Sequence, residues 1–204
     1  KIKYGIIGVG YLGNFHLKHL LTINNVEVVG IYDSDVTRSN QLSKQYNIKN
    51  YNSLDELFVA AEAVSIVTPT VSHLDIALKA LNHNCHIFIE KPIADNLEDG
   101  NQILNKVKER KKIAHVGHIE RFNPAFQAFI QNQHNPLFLE CHRLTKFNNR
   151  SMDISVVLDL MIHDIDLVLH IVDSPIKEII ADGISIISDS IDLANTKNRK
   201  KVYD

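Results

Sequence analysis

Three groups of residues in this 204-residue chain have types and spacings that can do chemistry. The first is Glu90-Lys91-Pro92, which closes the apolar run Ile87-Phe88-Ile89. If that run is a buried parallel strand, the acid and the lysine stand at the carboxyl edge of a sheet, where open α/β sheets take their ligands. A lysine there can hold an alcohol oxygen as it becomes an alkoxide, because a fixed positive charge helps most where negative charge develops. The alternative is an ordinary surface lysine. Pro92 favours an extended backbone at Lys91, which would aim the side chain out over the edge.

The second group is Asp159, His163, Asp166 and His170, at i, i+4, i+7 and i+11. This spacing draws one polar stripe down an otherwise apolar helix. Buried polar groups need partners, so the stripe should face a cavity or a network. One use is acid–base catalysis, in which an imidazole able to titrate near neutrality (His163) is oriented by Asp159 one turn away. A metal site is a second use, since Asp and His are both ligands. A satisfied buried network is the third. Asp164 lies off the stripe and is read as structural.

The third group is Gly8-Val9-Gly10-Tyr11-Leu12-Gly13. Placed between a strand and a helix, such a turn accepts a dinucleotide. Gly8 permits the turn, Gly10 lets backbone approach a pyrophosphate, Gly13 lets helix and strand pack, and Tyr11 and Leu12 open the helix whose N-terminus faces the phosphates. Asp33 follows Gly13 by 20 residues, the place of an acid that bonds a ribose 2′-hydroxyl and repels a 2′-phosphate. NAD is therefore expected over NADP, with Arg38 as the residue that could reverse this. Further contacts are expected from Thr68-Pro69-Thr70 and His73, which follow another apolar run and could equally be a helix-capping turn. Arg121 and Asn123 are candidate substrate contacts: Arg121 can grip a phosphate or carboxylate with two parallel bonds, or form an interdomain salt bridge. The remaining histidines, His16 among them, have no partner at useful spacing and are read as structural or surface.

These residues need an architecture to hold them. Strand and helix patterns alternate through the first half, with strands at 3–8, 26–33, 64–67, 86–90 and 113–117. Helices are predicted at 12–21, 36–46, 53–61, 72–81 and 97–110, with Ser53 and Ser72 as caps. Such alternation implies a parallel α/β sheet. After Gly117 the pattern predicts a helix from Pro124 to Gln133, a strand at 137–144, a long buried helix at 155–172 and one or two strands within 176–187. The fold class is thus a Rossmann-type parallel-sheet domain at 1–120, followed by a partial α+β substrate domain at 121–204.

Composition narrows the function. Net charge is −2 and the pI about 6.6, so no global basic field attracts nucleic acid. Cys85 and Cys141 lie far apart, which fits a reduced cytoplasmic protein without a structural disulfide or zinc site. No apolar run approaches the roughly 20 residues of a membrane span, and the chain enters its first strand without a visible leader. Nine acids and a single base, Lys177, lie between Ser151 and Thr196, and then Lys197-Asn198-Arg199-Lys200-Lys201 brings four bases in five residues. The two readings are a solvated basic tail and a chain cut short within its second domain.

With these motifs in hand, the chain resembles the Gfo/Idh/MocA oxidoreductase family. The resemblance rests on GVGYLG at 8–13, TPTVSH at 68–73, EKP at 90–92, GHIERFNPA at 117–125 and DLMIHDIDL at 159–167. The last two are most similar to sugar-nucleotide members of the UDP-N-acetylglucosamine 3-dehydrogenase type. The resemblance implies a nicotinamide-binding Rossmann domain, a C-terminal domain built on a large open sheet, and hydride transfer between NAD and a sugar or sugar nucleotide. It maps the motif lysine onto Lys91, with Glu90 beside it at the cofactor, and the helix Asp and His onto Asp159 and His163. A homo-oligomer is implied if the C-terminal sheet is complete. Where many members carry Gly before the catalytic Asp and between Asp and His, this chain has Ile154-Ser155-Val156-Val157 and Leu160-Met161-Ile162, which crowd the pocket. The alternative is a truncated or non-catalytic dinucleotide-binding protein of the same fold.

Overall fold

The computed structural model of the chain describes residues 1–132, 136–146, 154–172 and 174–200. The chain divides into two compact units, Lys1–Gly117 and His118–Asp204.

The first unit is a five-stranded parallel sheet. Its strands are β1 (Ile2–Ile7), β2 (Val26–Tyr32), β3 (Ala63–Ile66), β4 (His86–Ile89) and β5 (Ala114–Val116), in the order β2-β1-β3-β4-β5. Every pairing is parallel, so each connection must cross back over the sheet through a helix. The helices are α1 (Tyr11–Leu20), α2 (Val36–Tyr46), α3 (Leu54–Ala60), α4 (His73–Asn82) and α5 (Leu97–Arg110). Neighbouring side chains on a strand point to opposite faces, and β1 shows it. Ile7 joins Leu57, Phe58, Ile66, Leu81 and Ile103 in one core, while Ile6 joins Leu17, Ile31 and Leu42 in the other. The chain leaves β1 towards β2 on one side and returns to β3 on the other. That reversal opens a crevice at the carboxyl ends of β1 and β3, where doubly wound sheets bind ligands.

Local chemistry sets the helix ends. Asp35 accepts from Arg38 N at 3.1 Å and caps α2. Asn96 accepts from Asp99 N at 2.9 Å and caps α5, whose first turn is acidic and last turn basic, as the helix dipole favours. Ser53 caps α3 through Glu56 N. Ser72, also expected to cap with its side chain, does not. It ends a 3-10 turn, Thr70–Ser72, and its hydroxyl donates to Pro69 O and Thr68 Oγ1 instead, both at 2.8 Å.

The second unit opens with a 3-10 turn, Ile119–Phe122, and α6 (Pro124–Gln131), with proline in its first turn and Asn123 as cap. The expected end of this helix at Gln133 lies outside the described residues. The strand expected at 137–144 is absent from the described structure. An alternating apolar pattern needs a neighbouring strand to complete its hydrogen bonds, and here none pairs with it; Leu137 is 97% exposed. The long helix expected from 155 starts as a π-helical turn, Val157–Met161, and continues as α7 (Ile162–Ile171). It is not the fully buried element its composition implies. A helix apolar all round needs neighbours on every side, and of its described residues only Asp166 is buried. β6 (Ile176–Ile184) and β7 (Leu193–Lys200) form an antiparallel pair. The basic stretch from Lys197 to Lys200 is therefore half of a strand rather than a solvated tail. Arg199 reaches Glu178 at 3.4 Å across the ladder; Lys201 and the residues after it lie outside the described residues. The loop between these strands closes on Asp192, whose Oδ2 accepts from the backbone N–H of Ile186, Ile187 and Ser188. The bond from Ser188, with those from Ile187 and Ile186, holds that carboxyl far below its usual range.

Candidate functional site

The Gly8–Gly13 turn lies in the crevice between β1 and β3. Gly8 has φ +82°, and a Cβ there would sit 2.5 Å from Val67 O. A Cβ on Gly13 would sit 1.9 Å from Gly8 O. Both positions are closed to any side chain by backbone. Gly10 differs: a Cβ there would meet only Arg38 Nη1, at 3.7 Å. The space over Gly10 at the start of α1 is open, as a pyrophosphate cradle requires. Tyr11 and Leu12 follow it, both exposed.

Asp33, at the end of β2, locks this turn. Its Oδ2 accepts from Val9 N at 2.7 Å and its Oδ1 from Asp35 N at 2.8 Å. Arg38 lies 3.7 Å from Asp33 and 3.3 Å from Asp35. The arginine that could have welcomed a 2′-phosphate stands between two carboxylates.

Thr68, Pro69 and Thr70 follow β3 at the same edge. His73 begins α4 and is 1% exposed. Its Nε2 lies 2.9 Å from Thr68 O and its Nδ1 3.0 Å from Pro92 O. Both ring nitrogens are engaged, so the His73 side chain links these two turns.

Glu90 and Lys91 follow β4, next along the sheet from β3. The Glu90 carboxylate is held on three sides. His16 Nε2 is 2.9 Å from Oε1, Lys91 N donates to Oε2 at 3.2 Å, and Gly117 packs so close that a Cβ would sit 2.8 Å from the carboxylate. Sequence reasoning found no partner for His16, because a helix-to-strand contact across 74 residues leaves no spacing signal. The available clue was the acid itself: a carboxylate at the end of a buried strand needs a counterpart.

In the second unit, Arg121 spends two nitrogens on Asp166, Nε to Oδ2 at 2.7 Å and Nη2 to Oδ1 at 2.6 Å. Burial works against the Asp166 carboxylate, but the Arg121 fork, with His118 and His170 nearby, outweighs it and holds the carboxyl below its usual range. The bland alternative for Arg121, a salt bridge, is thus present, although within the unit. Asn123 Oδ1 accepts from Ala125 N, and its amide donates to Glu120, so this residue does capping work. Arg143 makes a second fork, on Asp164, and reaches Glu120 at 3.4 Å. Of the stripe, Asp159 lies in the π-helical turn and His163, Asp166 and His170 in α7. The π-helical turn was invisible in the sequence; such insertions recur at functional sites. His170 packs its ring against Phe126. Among the described residues, no group of three or more His, Cys, Asp or Glu side chains is arranged to hold a metal.

The model of the Gfo/Idh/MocA oxidoreductase family, described by its NAD-binding Rossmann fold, matches residues 2–118. The chain belongs to this family. Among its Gfo/Idh/MocA relatives is UDP-N-acetylglucosamine 3-dehydrogenase of Acidithiobacillus ferrooxidans, 35% identical over 95% of this chain and 61% of that protein. A solved structure of that enzyme superposes with a TM-score of 0.91 at 34% identity, over 97% of this chain and 65% of the other. Glucose-6-phosphate 3-dehydrogenase of Bacillus subtilis is 32% identical over 84% of this chain and 54% of its own length. The chain thus spans between about half and two thirds of the length of these Gfo/Idh/MocA relatives. No helix among its described residues is long and apolar enough to cross a membrane.

Proposed function

We propose that this chain carries the cofactor-binding and reacting groups of an NAD-dependent dehydrogenase acting on a sugar or sugar nucleotide. The observation that carries the reading is the placement of Gly8–Gly13, Asp33 and Lys91 at one edge of a doubly wound sheet. The relatives' names support the substrate class, since they act on UDP-N-acetylglucosamine and glucose 6-phosphate.

The residues present fit a dinucleotide. Gly10 would face the pyrophosphate at the α1 N-terminus, and Asp33 the adenosine ribose. NAD is favoured over NADP, because a 2′-phosphate would enter beside Asp33 and Asp35. Thr68, Pro69, Thr70 and Glu90 would line the same edge. Bound NAD supplies the hydride acceptor. His163 takes the proton from the sugar hydroxyl, Asp159 orients that imidazole, and Lys91 hydrogen-bonds the oxygen as negative charge develops on it. Arg121 reaches substrate with Nη1, since its other two nitrogens hold Asp166, and Asn123 flanks it. On this reading the protein works in the cytoplasm, and it forms a homo-oligomer if its second-unit sheet is complete.

The test is a titration of the purified chain with NAD, followed by UDP-N-acetylglucosamine, glucose 6-phosphate and related sugars, reading absorbance of the reduced cofactor. Reduction with any of them supports the reading. Cofactor binding with no reduction by the whole set favours a non-catalytic dinucleotide-binding protein.

A further inference from the structure

We propose that His73 is a positioning residue for Lys91, a buried strut that sets the Lys91 turn against the turn after β3. The assignment rests on the reading of Lys91 as the group that holds the reacting oxygen.

Carbonyl oxygens accept hydrogen bonds and cannot donate. His73 places one ring nitrogen against Thr68 O and the other against Pro92 O, at 2.9 and 3.0 Å. Each bond therefore needs an N–H on the ring. The doubly protonated ring donates to both oxygens, and a neutral ring donates to one. The two carbonyls belong to turns that follow adjacent strands, β3 and β4. One turn carries Thr68-Pro69-Thr70; the other carries Lys91.

The second observation concerns the residue on the other side of Lys91. Glu90 is fixed through its carboxylate by His16, which rises from the helix that follows the Gly-rich turn. So both neighbours of Lys91 are tied down by imidazoles from two different helices. An amine that must meet a reacting oxygen gains from a backbone that cannot drift, since about 1 Å of misplacement can cost about 10²-fold in rate. The strut also explains a histidine at a buried position where packing alone would accept an apolar ring. Burying an imidazole is unfavourable unless its nitrogens have partners, and here each has a carbonyl oxygen within hydrogen-bond distance.

The test uses the 204-residue chain with saturating NAD and three forms: unaltered, His73→Gln, which keeps N–H donors on one nitrogen only, and His73→Phe, which keeps the ring volume and no donor. Lysines are acetylated with an amine-reactive acyl reagent, and Lys91 and the exposed control Lys79 are quantified by mass spectrometry. NAD is expected to protect Lys91 in the unaltered chain. Much of that protection is lost in His73→Gln and more in His73→Phe, while Lys79 reacts equally in all three. Undiminished protection of Lys91 in His73→Gln overturns the strut. No protection in the unaltered chain removes Lys91 from the cofactor and overturns the strut with it. Where the chain turns over sugar, kcat falls about 10- to 100-fold in His73→Gln, with little change in sugar KM and no further fall when Lys91 is already Ala. An equal fall in both backgrounds marks a merely structural histidine and overturns the assignment. A chain that binds NAD and reduces none refutes the dehydrogenase reading, and the acetylation result still decides the strut. Melting curves of all variants show which of them fold.

Discussion

The two units hold their candidate functional residues by different forces. Every buried hydrophobic side chain among the described residues lies in the first unit, between Ile6 and Ala94 or at Ile103. In the second, the buried side chain is a carboxylate, Asp166. The first unit sets its site by steric exclusion: Gly8, Gly13 and Gly117 each stand where a single methyl group would strike backbone or carboxylate. The second sets its site with arginine forks, Arg121 on Asp166 and Arg143 on Asp164, which join α7 to the residues before it. Packing forces are short-ranged and are not screened by salt. Ion pairs weaken with salt and with acid. The same chain should therefore show two different vulnerabilities.

Function should depend on both units alike, whatever holds them. Lys91→Ala removes a charge from the first unit and His163→Ala a base from the second. Each is expected to lower turnover by about 10²- to 10⁴-fold while NAD affinity, set by the Gly-rich turn, stays within about fivefold, since one partly exposed charge is worth only about 1 kcal/mol. Steady-state kinetics beside NAD titration reads both. Unchanged turnover in either variant removes that residue from the mechanism.

Stability should separate the units. Ile66→Ala, in the core of the first, is expected to cost about 2–5 kcal/mol by lost burial and the cavity left behind. Ile180→Ala, on β6 and 44% exposed, should stay within about 0.5 kcal/mol in this chain. Denaturant unfolding with a probe in each unit compares them. Equal losses would mean that β6 is covered by contacts equivalent to a core.

The ionic unit also has a pH signature. The folded-state carboxyl of Asp166 is held below its ordinary value. The stability it contributes is thus fully present above the ordinary carboxylate range, near pH 4, and is lost as pH falls through the depressed folded value. Asp166→Asn should cost about 1–3 kcal/mol at neutral pH, from a broken charged bond with its partner left in place. The gap between variant and unaltered protein should close on acidification. Amide exchange in α7 is the measurement, with α4 as the unaffected reference. A gap that persists below pH 2 would assign the cost to packing instead.

This contrast also explains what could be read from the chain. The sheet, its helices and its edge residues were legible, because the first unit is built from local periodicities: β-branched runs, caps such as Asp35 and Asn96, glycines at a turn. Its internal links were not. His16–Glu90 and His73–Pro92 join segments 74 and 19 residues apart, and no spacing rule encodes such meetings. In the second unit the errors had one cause. The segment 137–144 and the helix at 155–172 have the composition of buried elements, but composition states what an element prefers and not whether neighbours exist to bury it. The strand at Leu193–Lys200 was missed for the opposite reason: three bases in its last four residues conceal a ladder that forms through backbone groups, with Arg199 facing Glu178.

Arg38 crosses the line between the two modes, and its removal gives the smallest expected effect. Arg121 forks on one acid and Arg38 stands by two, but the Arg38 distances to Asp33 and Asp35 are 3.7 and 3.3 Å and it is half-exposed, against 2.6 and 2.7 Å for the Arg121 fork. Solvent screens such a loose pair, so Arg38→Ala should change stability by no more than about 0.5–1 kcal/mol. Its effect on cofactor choice has a definite sign. The arginine partly neutralises Asp33 and Asp35, so its loss exposes a 2′-phosphate to two uncompensated carboxylates. NADP affinity should fall by about three- to tenfold, while NAD, which on the proposed reading would meet Asp33 through a neutral hydroxyl, should change by less, as expected for a screened interaction of about 1 kcal/mol. Paired titrations with NAD and NADP at two salt concentrations decide it. A fall in NADP affinity of well over tenfold would show that Arg38 leaves its acids to grip the phosphate. The first unit would then choose its cofactor by an ion pair as well as by the shape of its turn.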